Sequence, residues 1–397
     1  MSVTVVDLAR DLAMTASVSG TEEAAVRCAA AAFADLGFDE VRIDDAGNCV
    51  GIARANDHRN GHQGPRLLID GHIDTIPLHS EERWTVDPWG GEIRDGRLYG
   101  LGICDQKASI AAAAYGVAEA RRAGDLGGDV AVVASVCEEA MEGQALGEVI
   151  GWFDPEVVVI TEPNDTRLGI GQRGRAKIEV TVDGRACHAG HAREGINAAE
   201  ALAALITEAG TIEHPTHSRL GRRDLTCIDV ASWPYPSVST VPGRAMARFD
   251  CRFLLGETPE SLATLLTDCA ARAWAGWPEQ PGLDVGLVRA DFTTWTGAHY
   301  DTPEFCAAWW TEESTPTVQR AAAALGDAGL DPTPTHYSFC TNGSLTAGIL
   351  GIPTIGFGVG LEHMAHQVDE FVTIESLLAG ERGYRELAGR LTAGQGN

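Results

Sequence analysis

The sequence contains no apolar run of the roughly 20 residues that a membrane-spanning helix needs, so an integral membrane protein is not expected. Residues 1–16 also lack the basic-then-apolar layout of a secretory signal peptide. Asp7, Arg10 and Asp11 interrupt the apolar positions there, which is typical of an amphipathic helix. We therefore expect a cytoplasmic protein.

Basic residues are scarce in this chain. Its 397 residues include 30 Lys and Arg against 56 Asp and Glu, which gives a formal net charge of -26. No local run of Lys or Arg offsets this charge. Because such a surface would repel phosphate backbones, nucleic acid is not expected as a partner.

No Cys-x-x-Cys pair occurs among the ten cysteines, so a zinc site built from thiolates is not predicted. In a chain of this size without a secretory signal, ten cysteines indicate reduced thiols rather than a framework of disulfides. The composition, 44% hydrophobic and 22% charged, is that of a globular protein, and the length suits two or three domains.

Short apolar runs alternate with helical segments in the first part of the chain. This alternation predicts an α/β domain with a mostly parallel mixed sheet flanked by helices. Three of the runs, at 66–72, 129–136 and 157–160, indicate buried strands, and a helix is predicted directly after Asp105. In such sheets, functional side chains gather at the carboxyl ends of the strands.

The pattern changes at residues 177–182, where polar and apolar residues alternate strictly. The segments that follow have the order helix-strand-strand-helix-strand. Together they predict a small α+β, ferredoxin-like domain inserted into the first one. We expect a catalytic domain of residues 1–175 and 298–397 and an inserted lid and dimerisation domain of residues 176–297.

Side chains able to bind metals lie at or near the ends of the predicted strands. Imidazoles and carboxylates without a thiolate suit borderline divalent ions such as zinc, cobalt or manganese. A carboxylate-rich set in which one residue can bridge is what a centre with two ions roughly 3.5–4 Å apart requires. Each residue alone has an ordinary structural explanation, and only the combination predicts a metal centre. The set comprises His72, Asp74, Asp105, Glu138, Glu139, Glu162 and His366.

A series of short motifs runs in order along nearly the whole chain. The first group is Gly71-His72-Ile73-Asp74-Thr75, Asp87-Pro88-Trp89-Gly90-Gly91, Asp95-Gly96-Arg97-Leu98-Tyr99-Gly100 and Cys104-Asp105-Gln106-Lys107. The second group is Cys137-Glu138-Glu139, Thr161-Glu162-Pro163, Gly171-Gln172-Arg173-Gly174, Cys187-His188-Ala189 and Ala365-His366-Gln367-Val368-Asp369-Glu370. With these motifs the sequence resembles the acetylornithine deacetylase, succinyl-diaminopimelate desuccinylase and glutamate carboxypeptidase family of co-catalytic metallopeptidases and amidohydrolases.

The resemblance implies a centre with two divalent metal ions per chain. Zinc is the expected metal, with manganese and cobalt as alternatives. His72 and Glu162 would bind one ion, and Glu139 and His366 would bind the other. Asp105 would bridge the two ions.

The resemblance also implies three residues that act beside the ligands. Asp74 would accept the second ring N–H of His72 and so fix its tautomer. Glu138 would be the general base that activates the water between the ions. His188, in the inserted domain, would stabilise the oxyanion. In relatives such a histidine often comes from the partner subunit, and if His188 acts in that way the protein must be at least a homodimer.

Substrate contacts are implied at two further places. Arg252, in Asp250-Cys251-Arg252-Phe253, resembles a family arginine that binds a substrate carboxylate; a salt bridge within its own strand is the alternative. The loop of Thr341, Asn342 and Gly343 resembles the substrate-side loop of the family. Residues 237–242 lack the Asn before Pro that desuccinylases often carry, which leaves the acyl group open.

We therefore expect a metal-dependent hydrolase that cleaves a C–N bond in a small molecule, namely the amide of an N-acyl amino acid or a small peptide-like substrate. A hydrolytic deaminase acting on an aromatic or other small amine is one alternative. A catalytically inactive binding module is another, although such a relative would be expected to lack Glu138 or a ligand, and none is missing. A structural metal protein is disfavoured, because structural zinc sites favour closed Cys/His sets.

Overall fold

The computed structural model describes residues 4–55 and 64–394 of the chain. The first three residues of the predicted N-terminal helix lie outside the described residues. The chain divides into two compact units. Unit 1 comprises Met1–Gln172, Asp291–Tyr300 and Trp309–Asn397, and unit 2 comprises Arg173–Ala290 and Asp301–Ala308.

Helices and strands alternate over most of the chain. The α-helices are α1 (Val5–Ala13), α2 (Glu23–Leu36), α3 (Ala108–Ala123), α4 (Leu146–Phe153), α5 (Ala198–Ala209), α6 (Pro259–Ala273), α7 (Pro316–Asp327) and α8 (Ile374–Thr392). The strands are β1 (Glu40–Ile43), β2 (Cys49–Ala53), β3 (Leu67–His72), β4 (Ile93–Arg94), β5 (Arg97–Tyr99), β6 (Val130–Ser135), β7 (Val157–Ile160), β8 (Leu168–Gln172), β9 (Gly174–Asp183), β10 (Cys187–His188), β11 (Thr216–His217), β12 (Gly221–Arg222), β13 (Asp224–Trp233), β14 (Thr240–Val241), β15 (Arg244–Phe253), β16 (Gly282–Leu287), β17 (Arg289–Thr293), β18 (His299–Pro303), β19 (Phe305–Cys306), β20 (Trp309–Trp310), β21 (Pro334–Tyr337), β22 (Thr354–Gly356) and β23 (Phe371–Thr373).

A mixed nine-stranded sheet forms the centre of unit 1. Its order is β1-β2-β6-β3-β7-β22-β8-β20, and β21 pairs with β8. Strand β3 lies between β6 and β7 and runs parallel to both, and β22 joins β7 in parallel. Antiparallel pairs, β2 with β6 and β22 with β8, flank this parallel group. The predicted mixed sheet flanked by helices is confirmed.

The central strands are buried on both faces, which explains why their sequences are apolar throughout. Because neighbouring residues of a strand point to opposite faces, Ile69 and Leu68 enter different hydrophobic clusters. Ile69 and Val132 pack in the cluster that includes residues of α1, α2, α3 and α8. Leu68 and Val133 pack with α4 on the other face. The sheet is therefore a rigid support for side chains at its strand ends.

Unit 2 contains an antiparallel sheet of order β13-β15-β9-β16, with β19 also paired to β9. Residues of α5 and α6 form one hydrophobic cluster with the buried residues of β9 and β15. The chain order, β9-α5-β13-β15-α6-β16, is the predicted ferredoxin-like order. Strand β13 is an edge strand of this sheet.

The bounds of unit 2 differ from the predicted insertion at residues 176–297. Unit 2 begins at Arg173, and its last segment ends at Ala308. Gly297, the last residue of the predicted insertion, has φ +93° and lies in the turn between β17 and β18. That turn belongs to the segment Asp291–Tyr300, which is part of unit 1.

Two further observations concern membrane-spanning helices and disulfides. Among the described residues, no helix has the length and apolar character needed to cross a bilayer. All ten cysteines lie in the described residues, and none of them forms a disulfide there.

Candidate metal centre

The carboxyl ends of three neighbouring parallel strands, β6, β3 and β7, bring four of the predicted site residues together. His72 is the last residue of β3 and is almost completely buried. Glu138 and Glu139 follow β6, and Glu162 follows β7. Because the three strands run parallel, their ends meet at one edge of the sheet, as the sequence predicts.

Asp105 lies between the two histidines of the centre. It belongs to the irregular turn Ile103–Lys107 that precedes α3, and its side chain is buried. Its Oδ1 lies 3.1 Å from Nε2 of His72, and its Oδ2 lies 3.2 Å from Nε2 of His366. Each carboxylate oxygen therefore faces a different imidazole.

The other carboxylates are grouped around the same two imidazoles. Glu139 Oε1 lies 2.7 Å from Nε2 of His366. Nε2 of His72 lies 3.7 Å from Glu162 Oε1 and 3.8 Å from Glu138 Oε2. Two groups of three residues each bring one ligand atom per residue within 4.8 Å of the others. One group is His72, Asp105 and Glu139, and the other is His72, Glu138 and Glu162.

The carboxylates and imidazoles of the centre have shifted pKa values. Burial raises the pKa of both Glu138 and Glu162 well above the usual range, and neighbouring carboxylates raise it further. Hydrogen bonds to Asp105 and Glu139 raise the pKa of His366 to about 10. Burial also acts to raise the pKa of Asp105, but its hydrogen bonds with the two histidines lower it below its ordinary value.

The donor set fits divalent ions. Imidazole and carboxylate ligands suit zinc, manganese and cobalt, and such ions would supply the positive charge that crowded, buried carboxylates need. Oε1 of Glu138 is buried and has no hydrogen-bond partner among the described residues, so this oxygen can still accept a hydrogen bond. The thiol of Cys104 donates to the main-chain oxygen of Leu361 at 3.4 Å and is not in either ligand group.

The predicted contact of Asp74 requires a correction. Nδ1 of His72 lies 3.0 Å from the main-chain oxygen of Asp74, whereas the Asp74 carboxylate lies 3.6 Å from that nitrogen, too far for a hydrogen bond. The carboxylate instead accepts the N–H groups of Glu138 at 3.0 Å and Glu139 at 3.1 Å, and the hydroxyl of Ser19 at 2.7 Å. Asp74 thus fixes the turn that carries two other site residues.

The loop of Thr341, Asn342 and Gly343 is buried and has partners within unit 1. Thr341 donates its hydroxyl to the side-chain oxygen of Gln172 at 2.7 Å, and Asn342 donates to Oδ2 of Asp70 at 2.7 Å. These side chains therefore bond within unit 1, and a contact of this loop with substrate stays a prediction.

His188 and Arg252 lie in unit 2. Nδ1 of the exposed His188 accepts the N–H of Gly190 at 3.0 Å. Arg252, on β15, donates through Nε to Oδ1 of Asp250 at 2.7 Å, and a third of its side chain (33%) is exposed. The pairing with Asp250 is the alternative salt bridge within the strand of Arg252.

One buried carboxylate at the centre had no predicted role. Glu370 is completely buried and accepts three main-chain N–H groups, one of them from Asp105. The motif Ala365–Glu370 pointed to this region, but only the structure shows where the side chain points.

Comparison with known proteins agrees with this geometry. A sequence model of the family described as peptidase family M20/M25/M40 matches residues 68–390 of the chain. The chain belongs to this family. As a member of peptidase family M20/M25/M40, it is a metal-dependent hydrolase of amide bonds.

Relatives of this M20/M25/M40 member cover nearly its full length. The uncharacterised protein YgeY of Escherichia coli strain K12 is 31% identical over 371 residues, which is 91% of this chain and 88% of YgeY. The succinyl-diaminopimelate desuccinylase of Rhodospirillum centenum is 29% identical and covers 98% of this chain and 97% of its own. The solved structure of Bacillus subtilis YXEP, a dinuclear metal-binding peptidase from the M20 family, has a TM-score of 0.71 at 13% identity, covering 98% of this chain and 97% of that one. At that identity the likeness concerns the fold.

Proposed function

We propose that the protein hydrolyses the amide bond of an N-acyl amino acid or a small peptide, using two divalent ions bound at the metal centre. One observation carries this proposal: the two oxygens of Asp105 face different histidines, at 3.1 Å and 3.2 Å. A carboxylate that offers one oxygen to each of two ions is the element that such a centre requires. We place the reaction in the cytoplasm, where ten cysteines outside disulfides stay reduced.

The proposed ligands form two sets that share Asp105. His72 and Glu162 would bind the first ion, and Glu139 and His366 would bind the second. The short distance from Glu139 to His366, 2.7 Å, supports the second set. Two imidazoles with carboxylates and no thiolate favour zinc, with manganese and cobalt as alternatives.

Glu138 is proposed as the general base. When bound, the ions would polarise the carbonyl oxygen of the substrate and lower the pKa of a water molecule between them. Glu138 would accept a proton from that water and return it to the leaving nitrogen. Two features support this role: Oε1 of Glu138 has no partner among the described residues, and Asp74 fixes the main chain of Glu138.

The substrate class is proposed from the relatives and from one side chain. The Rhodospirillum centenum relative is named for removal of a succinyl group from an amino acid, which is cleavage of an N-acyl amide. Arg252 is proposed to bind the carboxylate of the substrate, with Asp250 holding its guanidinium in place. The acyl group is left open, because residues 237–242 lack the Asn that desuccinylases often carry.

The proposed partner is a second copy of the chain, bound through unit 2. The edge strand β13 exposes Val230 (58% exposed) and Ile228 (53% exposed), and an apolar edge with unpaired main-chain groups is a ready site for another strand. A groove of about 490 Å³ beside it is lined by residues of α5 and β13 such as Leu202 and Trp233. These features support a homodimer.

His188 is proposed to act across that dimer, on the oxyanion of the partner's reaction. Its Nδ1 accepts a main-chain N–H, so the ring proton of the neutral side chain lies on Nε2. Nε2 is therefore the atom that can donate a hydrogen bond to a developing negative charge.

The first experiment is to measure the metal content of the purified protein and then screen it for release of amines or ammonia. The screen would cover N-acetyl, N-succinyl and N-carbamoyl amino acids, dipeptides and aromatic amines. We expect about two ions per chain and amide cleavage that is lost to a chelator and restored by zinc, manganese or cobalt. Release of ammonia from an amine alone would favour the deaminase. Two bound ions without any turnover would contradict the proposed reaction.

A further inference from the structure

Glu370 has no part in the proposed reaction, yet its side chain is completely buried beside the metal centre. Its Oε2 accepts the N–H of Gly102 at 3.0 Å. Its Oε1 accepts the N–H groups of Cys104 at 2.7 Å and Asp105 at 3.1 Å. One carboxylate therefore holds three main-chain groups of the segment that delivers the bridging ligand, and hydrogen bonds of this kind to a carboxylate are strong.

Glu370 also belongs to the segment that delivers the second histidine. Strand β5 leads into the turn of Asp105, and the loop after His366 leads into β23. The two strands pair antiparallel, with Tyr99 opposite Phe371. The two loops thus leave the same end of one strand pair. The N–H of Gly100 donates to the main-chain oxygen of Glu370 at 3.0 Å, so the hydrogen bonding continues from the strands into the loops.

The loop from His366 to Glu370 needs support from its surroundings. His366 and Asp369 have φ values of +60° and +57°, in the left-handed region that residues with a Cβ rarely adopt. The carboxylate of Asp369 accepts the N–H of Thr85 at 2.8 Å on one side of the loop. On the other side, Glu370 binds the segment of Asp105.

We propose that Glu370 is a positioning residue of the metal centre that fixes Asp105 and His366 relative to each other. The inference rests on the proposed function, because it takes the ligand sets from there. Glu370 would act through the main chain of Asp105 and not on the ions themselves. Carboxylates that orient ligands in this way typically change metal affinity when they are replaced.

The two ions should respond unequally to loss of Glu370. His72 and Glu162 are placed by the ends of β3 and β7, which Glu370 does not hold. His366 and Asp105 both lie on the loops that Glu370 connects. The ion bound by Glu139 and His366 should therefore be weakened more than the ion bound by His72 and Glu162.

The test is Glu370→Gln, with Glu375→Gln as a matched control on the exposed first turn of α8. The amide of Gln is nearly the same size, but its NH₂ group would face main-chain N–H donors. Sequential zinc dissociation constants would be measured by competition with a chromophoric chelator. We expect the Kd of the ion bound by Glu139 and His366 to rise about 10–100-fold relative to the Kd of the ion bound by His72 and Glu162 in Glu370→Gln. The ratio of these two Kd values should stay at the wild-type value in the control.

Urea unfolding of the metal-free proteins separates positioning from simple stability. If Glu370 had a structural role alone, its replacement would lower the unfolding midpoint and leave the ratio of the two Kd values unchanged. That result overturns the inference, and so does equal weakening of both ions. If Glu370→Gln does not fold, Glu370→Asp serves instead, since its shorter side chain cannot reach all three N–H groups. The same rise in the ratio is then expected, and an unchanged ratio overturns the inference.

The wild-type measurement distinguishes the two possible failures. Wild-type protein that takes up fewer than two ions would overturn the proposed function, and this inference with it. Wild-type protein that takes up two ions, beside a folded variant with an unchanged ratio, overturns this inference alone.

Discussion

Replacing Glu138 with Gln tests the central assignment, because distances alone do not separate this residue from a ligand. Oε2 of Glu138 and Oε1 of Glu162 lie at nearly the same distance from Nε2 of His72, 3.8 Å and 3.7 Å. Glu138→Gln keeps the size of the side chain and removes its ability to accept a proton. The main-chain bond from Glu138 to Asp74 is untouched, so the turn should keep its shape.

The expected loss follows from the role of a general base. Positioned proton transfer contributes about 10²–10⁴-fold to turnover, which corresponds to about 2.7–5.5 kcal/mol of transition-state stabilisation. Glu138 is only 7% exposed, so bulk water cannot easily replace it, and we expect a loss toward the upper end. Metal content should stay at the wild-type value, because the substitution leaves the five proposed ligands in place.

Three measurements on the same sample check this prediction. They are kcat on the substrate found in the screen, ions per chain by elemental analysis, and the urea midpoint. Glu148→Gln, on the exposed side of α4, is the matched control and should behave as wild type. Loss of one ion in Glu138→Gln would show that Glu138 is a ligand. Turnover within about tenfold of wild type, with both ions bound, would refute the assignment of Glu138 as the base.

The remaining predictions concern the second ion, the dimer and a tight contact. His366→Ala and Glu139→Ala should each lower bound metal to about half, because each removes a ligand of one ion; elemental analysis measures this. Val230→Asp, which places a charge on the exposed edge strand β13, should convert the dimer to a monomer in light scattering. Gly343→Ala should destabilise the protein by about 1–3 kcal/mol in urea unfolding, because its Cβ would lie 2.5 Å from Nε1 of Trp309.

Each of these changes has a control elsewhere in the chain. His363→Ala alters an exposed histidine three residues from His366 and should keep both ions. Leu378→Asp places the same charge on an exposed position of α8 and should leave the dimer intact. Gly151→Ala, whose Cβ meets no atom of the described residues within 4 Å, should raise stability by up to about 1 kcal/mol as a helix residue. Full metal retention in both ligand variants would contradict the first prediction, and a monomeric wild-type protein would contradict the second. Equal stability of Gly343→Ala and Gly151→Ala would contradict the third.

The strands that carry the centre could be predicted because burial on both faces makes their sequences apolar. Val130–Ser135 and Val157–Ile160 are short apolar runs, and each is followed by carboxylates that have no place in a core. The parallel order of β6, β3 and β7 then brings Glu138, Glu162 and His72 to one edge. The length of each apolar run, the periodicity of its residues and the residue that follows it can all be read from a short stretch of sequence.

The contacts that support the centre could not be predicted in the same way. Asp74 was expected to hold His72 with its carboxylate, but the main-chain oxygen does so, and the carboxylate turns to the amides after β6. Thr341 and Asn342 lie in the loop that resembles the substrate-side loop of the family, and their bonds to Gln172 and Asp70 are visible only in the structure. The hydrogen-bond partner of each side chain depends on which polar groups lack another partner in the folded chain. A sequence pattern does not contain that information.

The place of β22 in the sheet has a consequence for biosynthesis. This strand is made near the end of translation but lies inside the sheet, between β7 and β8, and His366 follows it along the chain. On the ribosome, the edge of β7 that pairs with β22 therefore lacks this partner strand until some 350 residues have been made. Unit 2 is almost continuous in sequence, and its last residue, Ala308, is made before β22. The metal centre, whose proposed ligands run from His72 to His366, can close only when synthesis is nearly complete.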